Sequence, residues 1–104
     1  MIRNTYYVLL MIRSFADRDT ERLFKAGICP PKLRSFAAVA RRKLDMVDYA
    51  TRLLDLASPP GNFPEALRGD RKGQHSIGIN DQWRVCFRWT KAGPENVEIA
   101  DYHR

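Results

Sequence analysis

An α+β fold is predicted by three features of this 104-residue chain: a helical spacing of apolar residues through its first half, a dense proline and glycine break at 58–61, and strand-like runs joined by short turns in its second half. Consecutive strands with such short connections pair antiparallel. Two N-terminal helices laid on one face of a small, mainly antiparallel sheet make a two-layer domain, which is about what a chain of this length can bury.

Residues 1–10 read as an N-terminal extension and residues 11–104 as the single domain. Met1-Ile2-Arg3 is echoed by Met11-Ile12-Arg13, so Met11 is a candidate for the true start. The apolar run 6–12 is too short to span a membrane and no small-residue cleavage site follows it, which excludes export and predicts a cytoplasmic protein. Alternation over 11–15 suits a short strand, whose place at an edge or the centre of the sheet stays open.

A short helix is expected over 17–26, with Asp19 and Thr20 as possible caps and Gly27 as its stop. The turn Ile28-Cys29-Pro30-Pro31 ends that pattern. Leu33, Phe36, Ala37, Ala40, Leu44, Val47 and Leu54 recur at helical spacing, which predicts one long amphipathic helix over 32–56 with Pro31 near its first turn. Its opposite face carries Arg34, Arg41, Arg42, Lys43 and Arg52, with Arg41–Asp45 and Asp48–Arg52 spaced for ion pairs along the helix. After the break, a charged loop at 67–73 leads to strands over 75–79, 83–90 and 96–102. Asn80-Asp81-Gln82 and Ala92-Gly93-Pro94-Glu95 supply the turns between them.

Eighteen Lys and Arg against twelve Asp and Glu leave a net charge of +6, which favours nucleic acid, an anionic membrane surface or an acidic protein as partner. Two cysteines, Cys29 and Cys86, lie in no CxxC pair and build no zinc site, so no metal and no cofactor are expected. There is no P-loop, dinucleotide fingerprint, HExxH or serine elbow, which sets aside nucleotide hydrolysis and metalloprotease chemistry.

The cations gather in 67–90. Arg84 and Arg88 alternate with Trp83, Phe87 and Trp89, so the arginines take one strand face with Cys86 while the aromatics take the core face. With the loop cations Arg68, Arg71 and Lys72 they form the layout of a phosphate-binding surface. His75 faces either RNA or solvent, and Asn80 stands in the adjoining turn.

Gly69-Asp70-Arg71-Lys72-Gly73, then Ser76-Ile77, Asn80-Asp81-Gln82-Trp83-Arg84 and Glu98-Ile99-Ala100-Asp101-Tyr102-His103, in that order and spacing, resemble the HigB branch of the RelE-like toxins. The resemblance runs from about Met11 to His103. It implies the RelE-like fold and a toxin of a type II toxin–antitoxin system that cuts mRNA in the ribosomal A site. It also implies a helix-turn-helix HigA antitoxin as partner and operator DNA reached only through that antitoxin.

Metal-free RNA cutting places the 2′-hydroxyl in line with the adjacent phosphorus, and the protein must help that hydroxyl lose its proton, neutralise the phosphorane and protonate the departing 5′-oxygen. Arginine suits the second task because its planar fork pairs with two phosphate oxygens and keeps its charge, which makes Arg68 and Arg84 the leading catalytic candidates. The resemblance makes Arg84 the phosphate-stabilising residue and puts Arg68 where a relative has lysine. It assigns acid or base work to His103 and base stacking or phenolic hydrogen bonding to Tyr102. Arg71, Lys72, His75, Asn80 and Arg88 complete the expected RNA-binding set.

Two positions depart from the pattern: Glu65 stands where a relative has histidine, and Gly78 where relatives read Ser-Ile-Arg-Ile-Asn. The second departure admits an attenuated toxin kept for antitoxin binding and autoregulation, and the cationic sheet face admits a non-catalytic RNA-binding module.

Overall fold

The computed structural model describes residues 11–101, so the predicted extension at 1–10 and the catalytic candidates Tyr102 and His103 lie outside the described residues. Helix α1 spans Arg18–Ala26 and α2 spans Ala37–Tyr49. Strands β1 (Glu65–Ala66), β2 (His75–Gly78), β3 (Trp83–Thr90) and β4 (Gly93–Asp101) form one antiparallel sheet in that order. The predicted α+β class is therefore observed, with details that differ.

The N-cap of α1 is Asp17, whose carboxylate accepts from the Thr20 amide at 3.2 Å, so neither Asp19 nor Thr20 fills the expected capping role. Thr20 instead accepts the Ile99 amide at 3.0 Å, closing an otherwise open donor on β4. Gly27, at φ 70°, ends the helix as predicted, with its own amide on Leu23 and the Ile28 amide on Arg22.

The predicted long helix is broken. Pro31–Phe36 is a 3-10 segment, α2 ends at Tyr49, and Leu53–Ala57 is a second 3-10 segment. Asp55 explains the second break: its carboxylate takes the amides of Thr51 and Arg52 and the Thr51 hydroxyl, which offers this backbone a cap in place of continued α-helix. Those same hydrogen bonds hold the Asp55 carboxyl below its usual pKa. In place of the expected Asp48–Arg52 pair, Arg52 pairs with Asp55 at 3.4 Å, and Asp48 accepts a hydrogen bond from the Ile12 amide at 2.9 Å.

Apolar spacing nevertheless located the core. Leu23, Leu33, Ala40, Leu44, Val47 and Leu56 share one buried cluster with Ile77, Val85, Phe87, Val97 and Ile99, which lie on one alternating face of the sheet. Each buried Leu, Val, Ile or Phe side chain among them contributes about 1.5–3 kcal/mol. Leu54, expected on the apolar face, is instead exposed. Below the core, Lys43 donates to Asn62 at 2.6 Å while the Asn62 amide group donates to the Leu56 and Ser58 carbonyls. Asn62 thus pins the proline-rich break against α2. Burial, then the neighbouring Arg42 charge, lowers the Lys43 pKa.

The segment expected as a strand at 11–15 joins β4 through a single parallel bridge, Phe15 to Val97. Amide bonds from Arg13 to Pro94, Ala16 to Val97 and Val97 to Ser14 settle its place at the outer edge of β4. The last hairpin is tighter than predicted: β4 begins at Gly93, and the Thr90 hydroxyl donates to the Gly93 carbonyl across a Lys91-Ala92 turn. Strand β1 was not anticipated; it is two residues long and precedes the charged loop.

Candidate functional site

The sheet face opposite the core is polar, and strand register decides which residues share it. Glu65 pairs with Ser76, Ser76 with Cys86, Cys86 with Glu98, and Gly78 with Arg84. This places Glu65, Ser76, Gly78, Arg84, Cys86 and Glu98 side by side.

Arg84 is the most constrained of these, with its side chain only 12% exposed. Its Nε donates to Ser76 Oγ at 2.8 Å and lies 3.5 Å from the Glu65 carboxylate. Its Nη2 donates to the Phe63 carbonyl. Gly78 makes this posture possible, because a Cβ there would come within 3.1 Å of Arg84 Nη1.

Arg71 occupies the other side of Cys86. It donates to Gln74 at 3.1 Å and to Glu98 at 3.1 Å. Burial pushes the Cys86 thiol up to about 11, with Arg71 opposing, Glu98 adding, and Arg84 and Glu65 acting more weakly in turn. Two Arg–Glu pairs therefore flank one protonated thiol. Cys86 is a buried free thiol and Cys29 a half-buried one.

The remaining predicted residues divide. Arg88 is exposed and its guanidinium lies over Gly73, whose φ of 93° and lack of a side chain permit that approach. Arg68 and Lys72 are exposed at the two ends of the 3-10 turn Gly69–Arg71. His75 is not brought to Arg84: it sits on the core-side face, stacked on Phe87 with ring centroids 6.3 Å apart, because odd-numbered residues of β2 point away from the polar face. Asn80 is committed to its turn, where its side-chain oxygen accepts the Gln82 and Trp83 amides. The aromatics behave as the core residues expected of them: Trp83 packs on Phe36 at 5.7 Å and Trp89 edge-on to Phe87 at 6.5 Å.

Sequence reading treated Glu65 as an absence of imidazole and passed over Ser76 as chemistry. The signal lay in the pairing of β1 with β2, and a two-residue strand leaves almost no periodicity to detect. Among the described residues, no three His, Cys, Asp or Glu side chains gather as a metal site, and no helix is long and apolar enough to cross a membrane.

A family model described as the RelE-like toxin of the type II toxin–antitoxin system HigB matches residues 13–103. The chain belongs to the HigB-like toxin family. Toxin HigB-1 of Vibrio cholerae is 48% identical over 63 residues, covering 61% of this chain and 65% of that toxin. The Endoribonuclease HigB of Proteus vulgaris is 25% identical over 99 residues, covering 89% of this chain and all of the relative. Among solved structures, the YoeB–YefM complex from Staphylococcus aureus shares the fold at a TM-score of 0.55 and 16% identity, covering 91% of this chain and 98% of the matched one.

Proposed function

We propose that this HigB-like toxin is a ribosome-dependent endoribonuclease that cuts mRNA by attack of the 2′-hydroxyl on the adjacent phosphorus, and that a HigA-like antitoxin neutralises it. The observation that carries the reading is Arg84: a nearly buried guanidinium fixed by Ser76 and the Phe63 carbonyl, with a carboxylate 3.5 Å away. A guanidinium held in place before substrate arrives stabilises phosphorane charge without reorganising. Glu65 offers the oxygens to which the 2′-hydroxyl proton passes, and His103 protonates the departing 5′-oxygen. Arg68, Lys72 and Arg88, exposed around the loop, attract the flanking phosphates. Tyr102 remains the candidate for stacking at the C-terminal side.

A second reading is favoured by one observation. Arg84 already has a counter-ion in Glu65, so phosphate must compete with that carboxylate, as in an attenuated toxin. Controlled expression separates the readings. An active toxin arrests growth, Arg84→Ala relieves the arrest, and co-expression of the antitoxin restores growth to wild-type cells. Growth unaffected by the wild-type chain at full expression would contradict the first reading and favour the second.

A further inference from the structure

We infer that Phe63 is a stacking platform for the nucleobase beside the phosphate held at Arg84, an inference that rests on the RNA-cutting reading above. Phe63 breaks two rules at once. It is 68% exposed, and its backbone is left-handed at φ 42° and ψ 62°, a conformation costly for a bulky residue with a Cβ. Neither feature serves the core, since the residue stands mostly in solvent and glycine would fit the backbone better. Strain kept where the fold does not need it points towards a functional site.

The position of the residue supplies the function. Its carbonyl accepts Arg84 Nη2, so the ring stands one residue's reach from the guanidinium. Two residues on, Glu65 holds the other side of the same arginine. The Phe63 amide is tied to the Pro60 carbonyl at 3.2 Å, and Asn62 is fully buried and clamped to Lys43, so the ring is presented from an anchored turn. An exposed, preoriented aromatic next to a phosphate-sized cation is the chemistry that recognises a nucleotide: cation for phosphate, ring for base. Trp83 and Trp89 do not compete for this role because they are packed into the core.

The test compares Phe63→Gly, Phe63→Leu and Phe63→Trp with wild type, using ribosomes programmed with a defined mRNA. The half-saturating toxin concentration, the cutting rate at saturation and the melting temperature are measured for each. Phe63→Gly and Phe63→Leu should raise the half-saturating concentration by roughly 5- to 100-fold, the range expected for one lost base stack. Phe63→Trp should stay near wild type, and Phe63→Gly should melt no lower than wild type. Wild-type cutting by Phe63→Gly or Phe63→Leu would overturn the inference, as would a loss matched by a drop in melting temperature. Unchanged cutting with weakened antitoxin capture would also overturn it, by assigning the ring to a protein partner. Failure of the underlying reading looks different: the wild-type protein itself would leave the mRNA uncut.

Discussion

Arg84 and Cys86 sit two residues apart on one strand face, and their neighbours give them opposite fates. Arg84 is charged and held by Ser76, Glu65 and the Phe63 carbonyl, so it makes bonds that only a planar fork can make together. Arg84→Lys should therefore abolish cutting while costing about 1–3 kcal/mol of stability from the lost hydrogen bonds, as read by denaturant unfolding beside an activity assay. Retained activity in that variant would mean that charge alone suffices. Cys86 is buried between two ion pairs and its thiol is raised to about 11. The folded state thus binds a proton that the unfolded chain releases near 9, so stability from this group is full below about pH 9 and is lost as pH rises towards 11. Cys86→Ala should flatten that alkaline decline. In the native protein at neutral pH, iodoacetamide should label half-buried Cys29 well before Cys86, with mass spectrometry of the peptides as the readout.

At the scale of elements, the break between α2 and the sheet sets the site's position. Lys43 and Asn62 join across it, and Asn62 also bonds the Leu56 and Ser58 carbonyls. Removing Asn62 leaves a buried ammonium and two carbonyls without their partner. Asn62→Ala should cost about 2–4 kcal/mol, and Lys43→Met combined with Asn62→Leu should cost less than the sum of the single changes, because the buried charge goes with its partner. Lys43 carries a further signature. Its folded pKa lies below the ordinary lysine value of 10.5, so the unfolded chain holds more protons within that window and stability rises with pH there. Comparing the pH dependence of unfolding in wild type and Lys43→Met isolates this contribution from the opposite slope of Cys86.

This break also shows what sequence periodicity does and does not carry. Leu33, Ala40, Leu44 and Val47 were placed in the core correctly, yet the continuous helix drawn through them was wrong. A 3-10 turn repeats every three residues rather than about every 3.6, so these short segments still bury Leu33 and Leu56 while Leu54 leaves the apolar face. Asp55, which decides the change, acts through bonds to backbone four residues back and has no periodic signature. Strands β2 and β3 were legible because alternation and a short turn define both. The place of Arg84 on the polar face was legible for the same reason, whereas its contacts with Glu65 and Phe63 were not, since both come from the segment after the break, which Asn62 anchors.

For the whole molecule, a net charge of +6 is distributed so that Arg71 and Arg84 are paired with carboxylates while Arg68, Lys72 and Arg88 are exposed. Under the proposed function, long-range attraction to RNA falls to Arg68, Lys72 and Arg88, and transition-state stabilisation to Arg84. Neutralising Arg68 and Lys72 together should weaken binding at low salt and flatten its salt dependence, with little change in cutting at saturation. The division of labour itself is tested most directly by the products. Purified toxin is added to ribosomes programmed with a single mRNA, the new 5′ ends are mapped, and the new 3′ ends are tested for a 2′,3′-cyclic phosphate. The account predicts discrete cuts bearing cyclic phosphate ends for the wild type and none for folded Arg84→Ala; equal cutting by the two proteins, or 3′-hydroxyl ends, would contradict it.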